Sequence, residues 1–223
     1  MRVVTDIQEL SRQKYGVYLD EEFAFALYKG ELSSYHLKKG EPIGDKEYEQ
    51  ICSKLLPKRA KKRCMNLLKS RAYTEKRLRD KLKEGGYSSE CIDEAIEYVK
   101  SFGYINDYEY ACQYILFHKE GETRSRLAEK LKFRGISGEV LERAFADVYE
   151  DGEEEKLHLM QAQRYLEKKG YSGGEADWKE KQRMFAFLRR KGIPAEIIRR
   201  VMEVREWDEV TVQYGTNHSA DWC

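Results

Sequence analysis

The feature that most constrains the fold of this 223-residue chain is a segment that occurs three times. Its copies are LKEGGYSSECIDEAIEYV from Leu82, LKFRGISGEVLERAFADV from Leu131 and LRRKGIPAEIIRRVMEVR from Leu188. Each copy holds a basic turn, a glycine, an apolar residue and a second amphipathic stretch, a pattern that predicts two helices joined by a short turn. A chain that repeats such a unit folds as a tandem array, and such arrays usually act by binding.

The turn between the two helices has the same chemistry in every copy. One aligned position is always glycine: Gly86, Gly135 and Gly192. Glycine at a helix end adopts the left-handed backbone conformation without a side-chain clash. The residue two positions later is suited to cap or begin the next helix: Ser88, Ser137 or Pro194. The aligned leucines lie 49 residues apart (82 to 131) and then 57 (131 to 188), so the third unit carries an eight-residue insertion.

Both helices around the turn have an apolar stripe. Before it, an aligned arginine precedes two apolar positions spaced by four, which predicts one buried face: Arg77 with Leu78 and Leu82, Arg126 with Leu127 and Leu131, and Arg183 with Met184 and Leu188. After it, the stripe recurs at matched positions: Cys91, Ile92, Ala95, Ile96 and Val99, and Val140, Leu141, Ala144, Phe145 and Val148. These patterns predict amphipathic helices.

A third helix precedes each pair, over residues 58–72, 108–119 and 157–168. Its predicted buried residues are Ala60, Cys64, Leu67 and Leu68 in the first copy and Ala111, Cys112, Ile115 and Leu116 in the second. We therefore predict a mainly α protein, with tandem three-helix repeats in an elongated, curved array. The predicted repeats are residues 58–106, 107–152 and 153–208, and residues 209–223, which lack periodicity, are predicted to be a flexible tail.

The first 57 residues have a different pattern. Short β-branched and aromatic runs flank Asp20-Glu21-Glu22, which predicts a β-hairpin with a tight acidic turn. Residues 31–35 and 45–56 are expected to be helical, with a break at Lys39-Gly40-Glu41-Pro42. Residues 1–57 are therefore predicted to form a small α+β cap on the first repeat.

Composition predicts a soluble protein of the cytoplasm, and we expect it to be a monomer. Charged residues make up 36% of the chain, the mean hydropathy is −0.79, and no apolar run of about 18 residues is present to span a membrane. No signal peptide is recognised. The five cysteines have no CxxC spacing, and three of them occupy predicted core positions, which favours reduced, buried thiols.

The charge is unevenly distributed, although the net charge is only +1. From Lys58 to Lys83 there are twelve lysines or arginines against two acids, an excess of ten (12 minus 2). A second basic cluster extends from Lys179 to Lys191, whereas Asp147 to Glu155 is acidic. Fields of this size attract polyanions or acidic partner surfaces. The alternative is that the basic residues form a solvated helix face, or that the aligned arginines lie over the apolar core.

No catalytic constellation is present in the sequence. The four histidines are scattered without metal-ligand spacing, and neither GxxxxGK[ST] nor GxGxxG occurs. Asn106-Asp107 precedes a predicted helix, where an amide and a carboxylate favour the N-terminus. We predict that the protein is not an enzyme and needs no metal or cofactor.

The first unit carries a family resemblance. It contains Arg71, Thr74-Glu75-Lys76-Arg77-Leu78, Lys81-Leu82, and Phe102-Gly103-Tyr104-Ile105-Asn106-Asp107 with Tyr110-Ala111 beyond. The second unit adds Gly121, Arg124, Leu127, Lys130-Leu131 and Gly135-Ile136. Together these residues resemble the bacterial regulatory protein family RecX, and the N-terminal VYLDEEFAFALYKGEL and LKKGEPI are similar to the leader of Firmicute-type members. The resemblance covers about residues 1–205. Asn106 stands where the family usually has an acid, and the third unit matches weakly outside its turn.

This resemblance implies a modulator of the RecA recombinase. Family members bind the RecA filament on single-stranded DNA, lie in its helical groove across neighbouring protomers, and damp strand exchange, ATP hydrolysis and co-protease activity. A repeat array with basic surfaces is compatible with that role. The candidate contact residues are Arg77, Lys81, Arg126, Lys130 and Arg183. Two alternatives remain, a helix-turn-helix DNA-binding regulator and a general protein-interaction scaffold. The first is weakened because the third helices have few exposed Asn, Gln or Arg besides Arg199 and Arg200.

Overall fold

The computed structural model describes residues 2–171, 173 and 176–202 of the chain. The predicted tail at residues 209–223 lies outside the described residues. The chain divides into two compact units between Tyr110 and Ala111. Its described part contains four β-strands, all within the first 43 residues, and eleven α-helices. The predicted fold class, mainly helical three-helix repeats behind a small strand-containing cap, is confirmed in these elements.

A four-stranded antiparallel sheet opens the chain. Its strands are β1 (Arg2–Ser11), β2 (Lys14–Leu19), β3 (Glu22–Tyr28) and β4 (Pro42–Ile43), in the order β3-β2-β1-β4. The predicted hairpin is β2 and β3, and its acidic turn has positive φ at Asp20 (49°) and Glu21 (73°). The sheet is larger than predicted because β1 also pairs along β2. The exposed, polar second half of β1 lacks the apolar alternation that identifies a strand in a sequence.

Two short helices complete the cap. They are α1 (Lys29–Ser34) and α2 (Asp45–Gln50). A π-helical turn (Ile51–Leu55) carries α2 directly into α3 (Leu56–Ser70), so the backbone stays helical from Asp45 to Ser70. The predicted limit of the cap, between residues 57 and 58, falls inside α3 and stays a prediction. Buried residues of the sheet pack with Ile51 and Leu56, which lie on this continuous helix, and with Cys91, which lies on the helix Ser89–Ser101.

The first unit continues with α4 (Glu75–Lys83) and α5 (Ser89–Ser101). Apart from Cys91, which packs with the sheet, their buried residues form one core with Ala60 and Cys64 of α3, and all five predicted apolar positions of α5 are buried. Leu67 and Leu68 are only half-buried. The helix α6 (Asp107–His118) begins in the first unit and continues past the division at residue 110.

The described part of the second unit contains five further helices: α7 (Arg124–Phe133), α8 (Gly138–Val148), α9 (Glu153–Lys168), α10 (Trp178–Arg190) and α11 (Ala195–Met202). One predicted core position is wrong, and another is only partly buried. Leu116 is 56% exposed because α6 buries only Ala111 and Ile115. On α10 the buried pair is Phe185 and Leu188, which are three residues apart, and Met184 is half-buried.

The predicted glycine turns are confirmed in all three copies. Gly86, Gly135 and Gly192 have φ values of 75°, 94° and 88°. In each turn the residue after the glycine donates its N–H to the carbonyl of the aligned leucine, at 3.1 to 3.4 Å, and the glycine N–H bonds the next carbonyl at 2.9 Å. This bonding pattern is the Schellman motif. Ser88 and Ser137 then cap the next helices by accepting backbone N–H groups at 3.4 and 3.3 Å.

The described cysteines carry free thiols. Cys64 and Cys91 are buried, and Cys52 and Cys112 are half-buried. Burial raises the pKa of Cys64 to about 11, which keeps this thiol protonated and unreactive at neutral pH. Across residues 2–171, 173 and 176–202, no helix combines the length and apolarity needed to cross a membrane.

Candidate partner and nucleic-acid interface

The five predicted contact residues lie on the second helix of each repeat. Arg77 and Lys81 lie one turn apart on α4, both half-buried, and Arg126 and Lys130 have the same spacing on α7, where Lys130 is exposed. Arg183 is exposed on α10. The structure therefore places the predicted residues as one pair on α4, one pair on α7 and a single arginine on α10.

The three aligned arginines lie at the same distance from the glycine turn at the end of the helix. They do not lie at the same distance from the start of the helix. Arg77 and Arg126 are each three residues beyond the threonine that precedes the helix, Thr74 or Thr123. Arg183 is six residues beyond its N-cap, Asp177, because α10 begins three residues earlier relative to the shared leucine. Part of the eight-residue insertion is thus an extension of α10, and Arg183 occupies a different turn from its counterparts.

Both predicted lysines form ion pairs, and Arg77 also has an interaction within the chain. The Lys81 ammonium lies 2.6 Å from Glu84, and the Lys130 ammonium lies 2.6 Å from Glu122. Within the described part of the chain, the side chains of Arg126 and Arg183 form no ion pair or hydrogen bond. Ion pairs that stay in contact with solvent contribute little to stability, so the paired lysines at these positions can still meet phosphate or carboxylate groups.

The excess of positive charge around α4 is reduced by Glu75 of α4 itself and by Asp93 of α5. Arg79 lies 2.8 Å from Glu75 and 2.5 Å from Asp93, and Lys100 lies 3.0 Å from Glu75. Desolvation acts to raise the pKa of Glu75, but hydrogen bonds from Arg79 and Lys100 outweigh it and lower that pKa. The face of α4 that packs against α5 is therefore an internal charge network with little free positive charge.

A row of free lysines lies instead on α3 and the π-helical turn before it. We call this row the lysine ridge: Lys54, Lys58, Lys62 and Lys69. All four are exposed, and no described carboxylate pairs with any of them. At 1.5 Å per residue the ridge is about 22 Å long. None of these four lysines is among the contact residues predicted from the sequence. Their spacing of four, four and seven residues nevertheless places them on one helix face.

The neighbouring Arg59 has the opposite orientation. Its guanidinium lies 2.6 Å from Glu31 and also donates to the backbone carbonyl of Ala26. The same group lies 5.1 Å from the ring centre of Tyr28 and 5.4 Å from that of Tyr87. Only 14% of the Arg59 side chain is exposed. Adjacent cations of one basic run thus have different tasks, because Arg59 connects α3 to the cap while Lys58 faces solvent.

The acidic segment at residues 147–155 is used within the second unit. Lys119 lies 2.6 Å from Glu153, Arg124 lies 3.0 Å from Glu154, and Arg200 lies 2.5 Å from Glu155. Gln161, which is buried, adds hydrogen bonds from its side-chain amide to the carbonyls of Lys119, Glu120 and Glu122, at 2.8 to 3.4 Å. These contacts hold α9 to the preceding repeat and α11 to α9, so the acidic residues have a structural role.

The described residues contain no cluster of three or more His, Cys, Asp or Glu that could hold a metal ion. Asn106 accepts the N–H groups of Tyr108 and Glu109 at 3.1 and 3.2 Å, as a helix cap does. Asp107 accepts the backbone N–H of Glu75 at 2.9 Å, and burial raises its pKa. The predicted capping role at this dipeptide is therefore confirmed for Asn106, while Asp107 satisfies the start of α4.

Comparison with known proteins gives a consistent result. A family model described as the first three-helix domain of RecX matches residues 60–98, and the model of the third three-helix domain of RecX matches residues 159–202. A "Regulatory protein RecX" of Caldanaerobacter subterraneus is 27% identical over 205 residues, which cover 92% of this chain and 100% of that protein. The protein of the same description from Clostridioides difficile is 27% identical over 221 residues, 95% of this chain and 100% of that one.

Solved structures agree on the fold. A crystal structure described as regulatory protein RecX superposes with a TM-score of 0.60 and 18% identity, over 91% of this chain and 100% of that chain. A RecX crystal structure from Lactobacillus salivarius gives a TM-score of 0.56 at 19% identity, over 66% of this chain and 95% of that chain. The match to the third-domain model also supports the third repeat, whose motifs resemble the family only weakly outside its turn.

Proposed function

We propose that this chain acts as a member of the RecX family and binds the filament that the RecA recombinase forms on single-stranded DNA. Binding lowers strand exchange, ATP hydrolysis and co-protease activity. The protein acts in the cytoplasm as a monomer, and its effect comes from binding and not from chemistry of its own.

The observation that supports this proposal most directly is a cationic pair that recurs in successive repeats. Arg77 and Lys81 on α4 correspond to Arg126 and Lys130 on α7, with the same spacing and the same distance from the helix start. A filament presents identical subunits at regular intervals. A chain that presents one binding element more than once can engage neighbouring subunits together, and its affinity then exceeds that of a single contact.

The alternative hypothesis, a helix-turn-helix DNA-binding regulator, requires free polar side chains on the last helix of a repeat. On α11 the two arginines that favoured it are Arg199 and Arg200. The Arg200 guanidinium is held by Glu155 at 2.5 Å, and Arg199 also has an interaction within the chain. Because these groups stabilise the second unit, they give little support to base recognition in a major groove.

The test is the single-stranded-DNA-dependent ATPase of the cognate recombinase, measured with this protein at substoichiometric ratio. We expect a lower rate of ATP hydrolysis and shorter or less stable filaments. Equal rates and equal filament lengths with and without the protein would refute the proposal. A scaffold unrelated to recombination gives that negative result and binds its partners irrespective of DNA.

The contact residues are tested by the triple variant Arg77→Glu, Arg126→Glu and Arg183→Glu. We expect it to lose most of the inhibition, since three attractive contacts become repulsive. The control variant reverses three cations at other positions, all of them exposed: Lys29, Lys156 and Arg164. Circular dichroism and thermal unfolding verify that both variants fold. Full inhibition by the folded triple variant would mean that the arginine column is structural.

A further inference from the structure

Three aromatic side chains form an exposed strip at the end of α5. Tyr98, Phe102 and Tyr104 are 38%, 58% and 50% exposed. The ring centres of Tyr98 and Phe102 are 5.0 Å apart, and those of Phe102 and Tyr104 are 5.7 Å apart with planes inclined by only 17°. We call these residues the aromatic strip. Exposed contiguous aromatic surface is unusual on a soluble domain unless it contacts a partner.

Packing inside the first unit does not account for the strip. The turn after α5 is held by hydrogen bonds from Gly103 N–H to Lys100 O (2.8 Å) and from Tyr104 N–H to Val99 O (3.0 Å), with φ of 68° at Gly103. Ile105 then enters the core of α3, α4 and α5. The turn is therefore anchored by Ile105 and its own backbone, while Phe102 and Tyr104 remain on the outside in a fixed arrangement.

The aromatic strip is continuous with the lysine ridge. Tyr98 lines the same shallow groove between α3 and α5 as the four ridge lysines. The ammonium of Lys61 connects the two features, since it lies 5.3 Å from the ring centre of Tyr98 and 2.7 Å from Glu94. Glu94 is the only acidic residue among those described that line the groove, and Lys61 already neutralises it. The groove thus has a strongly positive wall that ends at stacked rings.

We infer that the groove formed by the lysine ridge and the aromatic strip binds single-stranded DNA directly. The ridge lysines contact successive phosphates, and the bases at the end of the strand stack on Phe102 and Tyr104. This combination of a cationic groove with exposed rings is the general means of binding single strands without sequence preference. An acidic protein surface would use the lysines but not the rings, and a duplex cannot place its stacked bases against them.

The inference deepens the proposed function, because it supplies a DNA contact that does not pass through the recombinase. It is therefore tested without recombinase, by fluorescence anisotropy with a labelled oligothymidylate and the full chain. Four lysine–phosphate contacts predict that log K falls with log [salt] with a slope of about −2.8. The variant Lys58→Ala with Lys62→Ala should reduce the magnitude of that slope by about 1.4. The control variant Lys29→Ala with Lys156→Ala should leave the slope unchanged.

The aromatic strip is tested separately with Phe102→Ala. Loss of one base–ring contact is expected to weaken binding by roughly 5- to 150-fold with little change in salt slope. Phe102→Trp, which keeps a stacking surface, should retain affinity. Phe117→Ala on α6 is the matched control because its ring is 80% exposed and lies outside the first unit, so it should have no effect. Thermal unfolding verifies that each variant is folded.

Three results would overturn the inference. The first is absence of binding at low salt. The second is equal affinity for an oligothymidylate and for a duplex of the same length. The third is loss of binding in the lysine variant with no effect of Phe102→Ala, which would identify a general polyanion surface. If any of these occurs while the protein still inhibits the recombinase ATPase, the single-strand site is wrong and the proposed function stands.

Discussion

Replacement of Arg59 by alanine should separate the structural cations of α3 from those free to bind a partner. The change removes a hydrogen-bonded ion pair with Glu31 and a hydrogen bond to the Ala26 carbonyl. It also removes the cation–π contacts of the guanidinium with the Tyr28 and Tyr87 rings. It also leaves a carboxylate that is only 22% exposed without its cation. The loss falls on the junction between the sheet and α3.

The magnitude follows from these contacts. A hydrogen bond to a charged group contributes about 1.5–3 kcal/mol and one to a neutral carbonyl about 1 kcal/mol, and each cation–π contact adds about 0.5–1 kcal/mol. Glu31 keeps its hydrogen bond from the Tyr28 N–H at 2.7 Å and gains some hydration, which offsets part of the loss. We expect the free energy of unfolding of the first unit to fall by about 2–4 kcal/mol.

The assay is urea unfolding followed by circular dichroism, with limited proteolysis of the cap as a local readout. Lys58→Ala is the matched control, since Lys58 is adjacent, exposed and unpaired among the described residues, and it should change stability by less than about 0.5 kcal/mol. Arg59→Ala should also expose residues 1–57 to protease earlier. If Arg59→Ala and Lys58→Ala are equally stable, the guanidinium does not hold the cap and the reasoning from its contacts is refuted.

Two further predictions concern the second unit. Gly192→Ala should destabilise it by about 2–4 kcal/mol, because alanine is strained at φ of 88° and its Cβ would collide with the Thr123 hydroxyl, which donates to the Lys191 carbonyl at 2.8 Å. Gly170→Ala, with φ of 64° but open space, should cost only about 1–2 kcal/mol, and equal losses in urea unfolding would exclude the collision. Burial lowers the pKa of His158, against a smaller opposing effect of Glu154. The unfolded chain then binds a proton at a higher pH than the folded chain, so stability is greatest above about pH 6.5 and falls as the pH drops below it, by at most about 1.4 kcal/mol per pH unit. His158→Gln should flatten this dependence in unfolding experiments at pH 7.5 and 5.5, and an unchanged slope would assign it to another group.

Much of the helical architecture could be predicted because its determinants are local. Each glycine turn is closed by hydrogen bonds between residues three and five positions apart, such as Gly86 to Lys83 and Tyr87 to Leu82. The apolar stripe of α5 is likewise contained in thirteen consecutive residues, and all of its predicted positions are buried. The long strand β1 escaped prediction because its pairing with β2, and not its own side-chain pattern, fixes its conformation.

The candidate interface was less predictable, because free charge depends on partners distant in sequence. The basic run from Lys58 to Lys83 is uniform in the sequence, yet Asp93 neutralises Arg79 and Glu31 holds Arg59, while Lys58 and its ridge neighbours have no described carboxylate partner.

The sequence by itself therefore determined the repeats, their turns and the resemblance to RecX, because residues within one or two helical turns encode them. The tertiary structure decided which cations are available and placed the aromatic strip beside the lysine ridge. These properties arise only when α3 and α5 pack together, since Lys58 and Phe102 are separated by more than 40 positions in the chain and share one surface only in the fold.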